Sequence, residues 1–151
     1  MPTKGRPTVE ELKKSVGVES SPVTYTVERG DVARFADAID DGNSLYHDET
    51  YATGSRYGRI AAPPTFLRSM RPNTFGVSGE GLLNYVLDGG SEWEYIEPVL
   101  VGDHITVTER VVDVVERSGR LGAMIFITRE IRYVNQSDKI VALQRSTLIT
   151  Y

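Results

Sequence analysis

Side chains able to move protons near neutral pH are few in this chain, which has two histidines, His47 and His104, and no cysteine. Imidazole changes charge close to neutrality. The lack of cysteine removes thiol nucleophiles, disulfide frameworks, thiolate zinc and iron–sulfur clusters together. His47 stands in the run Asp41-Gly42-Asn43-Ser44-Leu45-Tyr46-His47-Asp48-Glu49, among carboxylates. A carboxylate and a neutral imidazole converging on one site can move protons to and from a bound group. Plainer readings stand beside this one. His47 also fits a solvated loop, and Asp41 fits a helix end beside Gly42, where aspartate is favoured by local hydrogen bonding. Asn43 reads as a structural tie from side chain to backbone. His104 follows Gly102-Asp103 and reads as an exposed turn residue. Two histidines far apart cannot build a His-rich metal site within one chain; a carboxylate-rich site for a hard cation stays open, but no calcium-loop spacing occurs and no metal ligand is assigned.

The elements that must position these residues follow from periodicity. Thr8-Val9-Glu10-Glu11 is a capping box, and Gly17 suits the left-handed stop of a short helix. Val23, Tyr25 and Val27 alternate with polar residues as a half-buried strand requires. Val32, Phe35, Ala36 and Ile39 make an apolar helical stripe on a helix starting near Asp31. Residues 43–62 have no sustained period and are long for a simple connection, which marks a functional loop. A proline at the first helical position is tolerated, so Pro63-Pro64-Thr65-Phe66-Leu67 opens an apolar helix that runs to about Met70, before Pro72. The glycine-rich stretch 75–90 reads as an irregular crossing with a short element over Leu82–Leu87, and its glycine order does not fit a dinucleotide fingerprint. Beyond it come β-rich runs at Glu92–Ile96, Ile105–Val115, Leu121–Val134 and Lys139–Thr150, an antiparallel meander. Helices early and strands late predict an α+β domain, with one amphipathic sheet on an apolar helix, spanning residues 1–151 as a single unit.

Composition narrows the partners. A formal charge of −4 over 151 residues argues against nucleic acid. No apolar run reaches the length of a membrane span, and the first residues lack a secretory apolar segment, so a cytoplasmic location with no membrane contact is expected.

The loop at Asp41–Ala52, followed by Tyr57-Gly58-Arg59-Ile60-Ala61-Ala62-Pro63-Pro64-Thr65-Phe66, resembles the MaoC-like hydratase and dehydratase family. The likeness is to the branch with D-x-N-P-L-Y-H-D-E-x-x-A and Y-G-x-I-x-A-P-P-T-F, and Trp93–Asp103 continues it. The resemblance implies a hot-dog fold, in which a long central helix is wrapped by an antiparallel sheet, and dimers that continue the sheet. It implies an enzyme of lyase type acting in fatty acid metabolism: hydration of trans-2-enoyl thioesters, or dehydration of 3-hydroxyacyl thioesters, on coenzyme A or acyl carrier protein. Asp41 and His47 would be the acid–base pair. Asn43, Tyr46 and Pro64 would border the substrate, and the amides of Thr65 and Phe66, at a helix start, would face the developing enolate oxygen. Arg56, Arg59, Arg68 and Arg71 could meet the phosphates of the carrier arm. No separate cofactor is expected; coenzyme A or phosphopantetheine is part of the substrate. Trp93 and Tyr95 read as core or interface, with lining of an acyl tunnel as the lesser alternative.

One departure matters. The best-known hydratases of the family carry their histidine five residues after the aspartate, and here that position is Tyr46, while His47 is six away. If the loop bulges by one residue, His47 enters the cleft, close to the Asp41 carboxylate. If Tyr46 has replaced the base, the chain is the acyl-holding partner in a heteromer with a second hot-dog subunit. A hot-dog acyl thioesterase is a weaker alternative, because Phe66-Leu67-Arg68-Ser69 offers no carboxylate.

Overall fold

The computed structural model describes residues 8–73, 85–120 and 122–151. The first helix, α1 (Val9–Lys14), is closed by the expected box: the Thr8 hydroxyl accepts from the Glu11 amide while the Glu11 carboxylate accepts from Thr8. Gly17 takes φ 83°, where a side chain would be strained. Strand β1 (Val23–Thr26) is followed by α2 (Arg29–Ala38), which buries Val32 and Ala36. Ile39 caps α2 and is exposed rather than continuing the stripe.

The segment read as an irregular loop contains two single-turn helices, α3 (Ser44–His47) and α4 (Glu49–Thr53). They are too short to show a period, and their caps define them. The Asn43 side chain accepts from the Leu45 amide at 3.0 Å, and that of Asp48 from the Tyr51 amide at 2.9 Å.

Pro64 opens a helix as expected, but it is a 3-10 helix of six residues, Pro64–Ser69. A long central helix is absent among the described residues. The physical reason lies at its end, where Met70 turns extended at ψ 95° and Arg71 precedes Pro72, which disfavours helical backbone before it.

The sheet has the order β1-β3-β4-β5-β2, with every neighbour antiparallel: β2 (Val86–Tyr95), β3 (His104–Gly119), β4 (Gly122–Val134) and β5 (Ile140–Thr150). Three long strands follow Trp93 entirely, and a fourth contains it. β2 begins earlier than expected because a bulge carries it through Gly89-Gly90. Gly90 has φ 112°, and a Cβ on Gly89 would lie 3.0 Å from the Thr147 carbonyl oxygen. The rest of the crossing, residues 74–84, lies outside the described residues.

The main core joins Val32, Phe66, Leu67 and Met70 to Ile105, Val107, Ile131 and Tyr133 on one sheet face. Burying each such aliphatic side chain is worth about 1.5–3 kcal/mol. A second cluster sets Leu12 of α1 against Val111, Val114, Ile125 and Ile127. No helix among the described residues is long and apolar enough to cross a membrane.

Candidate functional site

Three short caps in succession build the site. The Asp41 carboxylate accepts from the Asn43 amide at 3.1 Å, Asn43 caps α3, and Asp48 ends α3 and caps α4. Asn43 therefore has the structural role its type predicts. Because α3 is helical, successive side chains point about 100° apart, as 3.6 residues per turn requires. Tyr46 and His47 must diverge.

Tyr46 faces a cavity of about 610 Å3 whose wall also holds Leu45, Arg56, Tyr57, Pro64, Leu67 and Tyr95. Its far side is the turn leaving β2, from Ile96 to Val99. His47 is not among the residues lining this cleft. Its Nε2 lies 3.1 Å from the main-chain oxygen of Asp41 and 3.8 Å from a carboxylate oxygen of Asp37, at the C-terminal end of α2. A ring nitrogen against a carbonyl oxygen is the protonated one, which leaves Nδ1 as the acceptor of a neutral ring. The expected bulge does not form. The extra residue is absorbed as helical rotation, so His47 meets the Asp41 backbone and not its carboxylate.

The electrostatics follow the same division. Burial raises the Tyr46 phenol above its usual pKa, with further contributions from the Asp41 charge and then from Tyr57. Tyr46 thus stays protonated at neutral pH and presents an O–H in a mostly apolar cleft.

The expected oxyanion donors are not equivalent. The Phe66 amide donates to the Pro63 carbonyl at 2.8 Å, and its ring packs edge-on against Phe35. That leaves Thr65 as the first-turn amide not consumed by the turn. Nor do the four arginines converge. Arg56 borders the cleft, its guanidinium 4.9 Å from the Tyr57 ring centre. Arg59 turns instead to the buried Asp103 carboxylate at 3.1 Å and to the Val101 carbonyl. Asp103 also accepts from Gln136 and from the Leu100 amide, so this is a structural clamp. Arg68 and Arg71 line a different cavity. Arginines close in sequence are thus dispersed by the turn at Gly58 and by the 3-10 helix.

Cleft residues that sequence reasoning did not single out include Leu45, Tyr57, Leu67 and the Ile96–Val99 turn, while Tyr95, for which tunnel lining was the lesser reading, does border the cleft. Their signal was present, since Tyr57 opens the second half of the motif and Tyr95 lies in the Trp93–Asp103 run. His104 is exposed at a strand start, its Nδ1 3.1 Å from the Thr26 hydroxyl, as its turn context predicts. Among the described residues no group of acidic, histidine or cysteine side chains is placed to hold a metal.

Residues 14–144 match the family model described as FAS1-like, dehydratase domain region. The chain belongs to this dehydratase family. A UPF0336 protein of Streptomyces avermitilis is 32% identical over 118 residues, covering 72% of this chain and 77% of that protein. A probable enoyl-CoA hydratase alpha subunit of Thermomonospora curvata is 27% identical over 138 residues, covering 80% of this chain and 43% of that protein. Among solved structures, the ChsH1-ChsH2 complex from Mycobacterium tuberculosis superposes with a TM-score of 0.76 at 21% identity, covering 95% of this chain and 93% of that one. Family membership makes the MaoC-like resemblance good, and the five-stranded antiparallel sheet is that of the hot-dog fold. The Tyr46 cleft draws its wall from both halves of the motif, Leu45 and Tyr46 from the first and Tyr57, Ala61, Ala62 and Pro64 from the second.

Proposed function

We propose that this dehydratase-family chain holds the acyl thioester for a hydratase or dehydratase reaction whose acid–base pair comes from a second hot-dog subunit. The observation that carries this reading is the rotation of α3. Tyr46, five residues after Asp41, occupies the cleft, and His47 is turned onto backbone. A protonated phenol is a hydrogen-bond donor but a poor general base near pH 7, since efficient proton transfer needs a pKa near the working pH. The cleft, walled by Leu45, Leu67, Tyr95 and Val99, suits an acyl thioester, with Arg56 at its edge for carrier phosphates.

Two further features support a partner. β2 is an edge strand with Val86, Leu87 and Tyr95 exposed, a surface that a second sheet would cover. The named relatives include an alpha subunit and a two-component complex, as expected of an assembly that divides binding from chemistry.

The test is an assay of the purified chain with crotonyl and longer trans-2-enoyl thioesters. The expected result is thioester binding without turnover, and turnover on adding a hot-dog subunit that has histidine five residues after its aspartate. Turnover by the chain alone, abolished by His47→Ala, would overturn this reading in favour of a self-sufficient hydratase. That second reading has one observation behind it: Asp41 and His47 are in contact, and the ring is only partly exposed.

A further inference from the structure

On β4, Ile125, Ile127, Arg129, Ile131 and Tyr133 fall on one face of the sheet by strand alternation. Ile125 and Ile127 belong to the cluster under α1, and Ile131 and Tyr133 to the cluster under the 3-10 helix. Arg129 interrupts this apolar face, and it does so in company. Its guanidinium lies 3.2 Å from a Glu109 carboxylate oxygen on β3 and 3.4 Å from the Ser146 hydroxyl on β5. Beside them, the Tyr133 hydroxyl donates to Gln144 at 3.2 Å, and Gln144 donates to Ser91 of β2 at 3.1 Å. Glu109, Gln144 and Ser146 are buried. The band lines a cavity of about 470 Å3, with Arg68, Arg71 and Asp88 also in its wall.

Apolar side chains of similar volume often serve stability as well as a buried ion pair does, so the band is weak evidence of a stabilising role. Its hydrogen-bonding capacity is also not exhausted. The buried Nε of Arg129 has no partner among the described residues. Three guanidinium groups, those of Arg68, Arg71 and Arg129, share the cavity wall with two carboxylates, Glu109, which pairs with Arg129, and Asp88. The complement of that wall is a group that accepts hydrogen bonds and carries negative charge.

The cavity and the cleft share no lining residue, but two links join their walls. Leu67 and Arg68 are consecutive, and the first lines the cleft while the second lines the cavity. Tyr95 belongs to the cleft and Tyr133 to the cavity, and Trp93 stacks on both rings, at 5.6 and 5.5 Å between centres. This aromatic stack spans the interval between the cleft and the polar band.

We infer that the cavity receives the far end of the acyl chain and that this end carries a carboxylate rather than a methyl group. The inference rests on the reading of the Tyr46 cleft as a thioester site and names the class of acyl group that it takes.

Trp93 is the one tryptophan of the chain, so its fluorescence reports binding along the stack. The full chain is titrated with decanoyl-pantetheine and with the monopantetheine thioester of decanedioic acid. The carboxyl-ended thioester is expected to bind about tenfold tighter or better. In Arg68→Gln/Arg71→Gln, both exposed at the rim, the preference should fall to about twofold with methyl-ended affinity unchanged. Arg145→Gln, an exposed arginine on the opposite face of β5, should leave the preference intact. Equal affinity for the two ligands, or a preference that survives the double exchange, overturns the inference and leaves the thioester reading standing. Equally tight binding of free decanedioic acid separates the cavity from the acyl path and also overturns it. If neither thioester binds, the reading beneath fails and the inference falls with it.

Discussion

The Nε2 of His47 lies 3.1 Å from the main-chain oxygen of Asp41, while the Asp41 carboxylate is engaged by the Asn43 amide. The imidazole therefore meets the Asp41 main chain, and the two side chains best suited to acid–base work share no hydrogen bond. The hydrogen bond ties α3 to the end of α2.

His47→Ala should accordingly act on stability more than on ligand binding. Loss of one part-buried hydrogen bond is worth about 0.5–1.5 kcal/mol, read as a lowered urea midpoint with unchanged thioester affinity. A fall in the chain's own turnover of roughly 10²–10⁴-fold, with stability unchanged, would instead mark His47 as an acid–base group.

Tyr46 should titrate above the ordinary tyrosine value, because burial and then the Asp41 charge disfavour the phenolate. A folded-state pKa raised above the unfolded one favours the protonated native state, so this contribution is present below the unfolded pKa and is lost as pH rises through the folded one. In an alkaline titration followed by tyrosinate absorbance, Tyr46→Phe should remove a late-titrating group. Asp41→Asn should move that group back towards its ordinary value.

Glu109 supplies the acid-side counterpart. Burial raises its pKa above the ordinary 4.5, with Arg129 opposing. Its contribution is therefore fully present below the unfolded value and is lost as pH climbs through the folded one. Relative to the parent, Glu109→Gln should be least favourable below pH 4.5 and gain ground towards neutrality, in unfolding curves taken across that range.

Arg59 and Arg56 should part company. Arg59→Ala leaves the Asp103 carboxylate with Gln136 and an amide only, and should lower stability by about 1–2 kcal/mol while sparing affinity for coenzyme A thioesters. Arg56→Ala should weaken that affinity and reduce its salt dependence, since exposed phosphate contacts are screened over about 8 Å at physiological ionic strength. Equal effects of the two exchanges on affinity would contradict the division of roles.

What the sequence determined by itself was set by local chemistry and by period. The Thr8–Glu11 box, the alternation at Val23–Val27, the stripe on α2 and the long C-terminal strands each follow from rules acting over a few residues, and the motif halves at Asp41 and Pro64 marked the region of the cleft. Helices of four and five residues were not legible because they are shorter than a hydrophobic period. The early start of β2 was hidden by Gly89 and Gly90, which break the alternation at the bulge.

Only the tertiary structure decided which side chains meet. Whether the residue between Asp41 and His47 makes a bulge or a helical turn depends on α3 packing against the end of α2, and the turn sends Tyr46 into the cleft and His47 away from it. The arginine cluster was scattered in the same way. Arg59 was drawn to a carboxylate that lies 44 positions away and is buried beside it, a pairing that no local pattern carries.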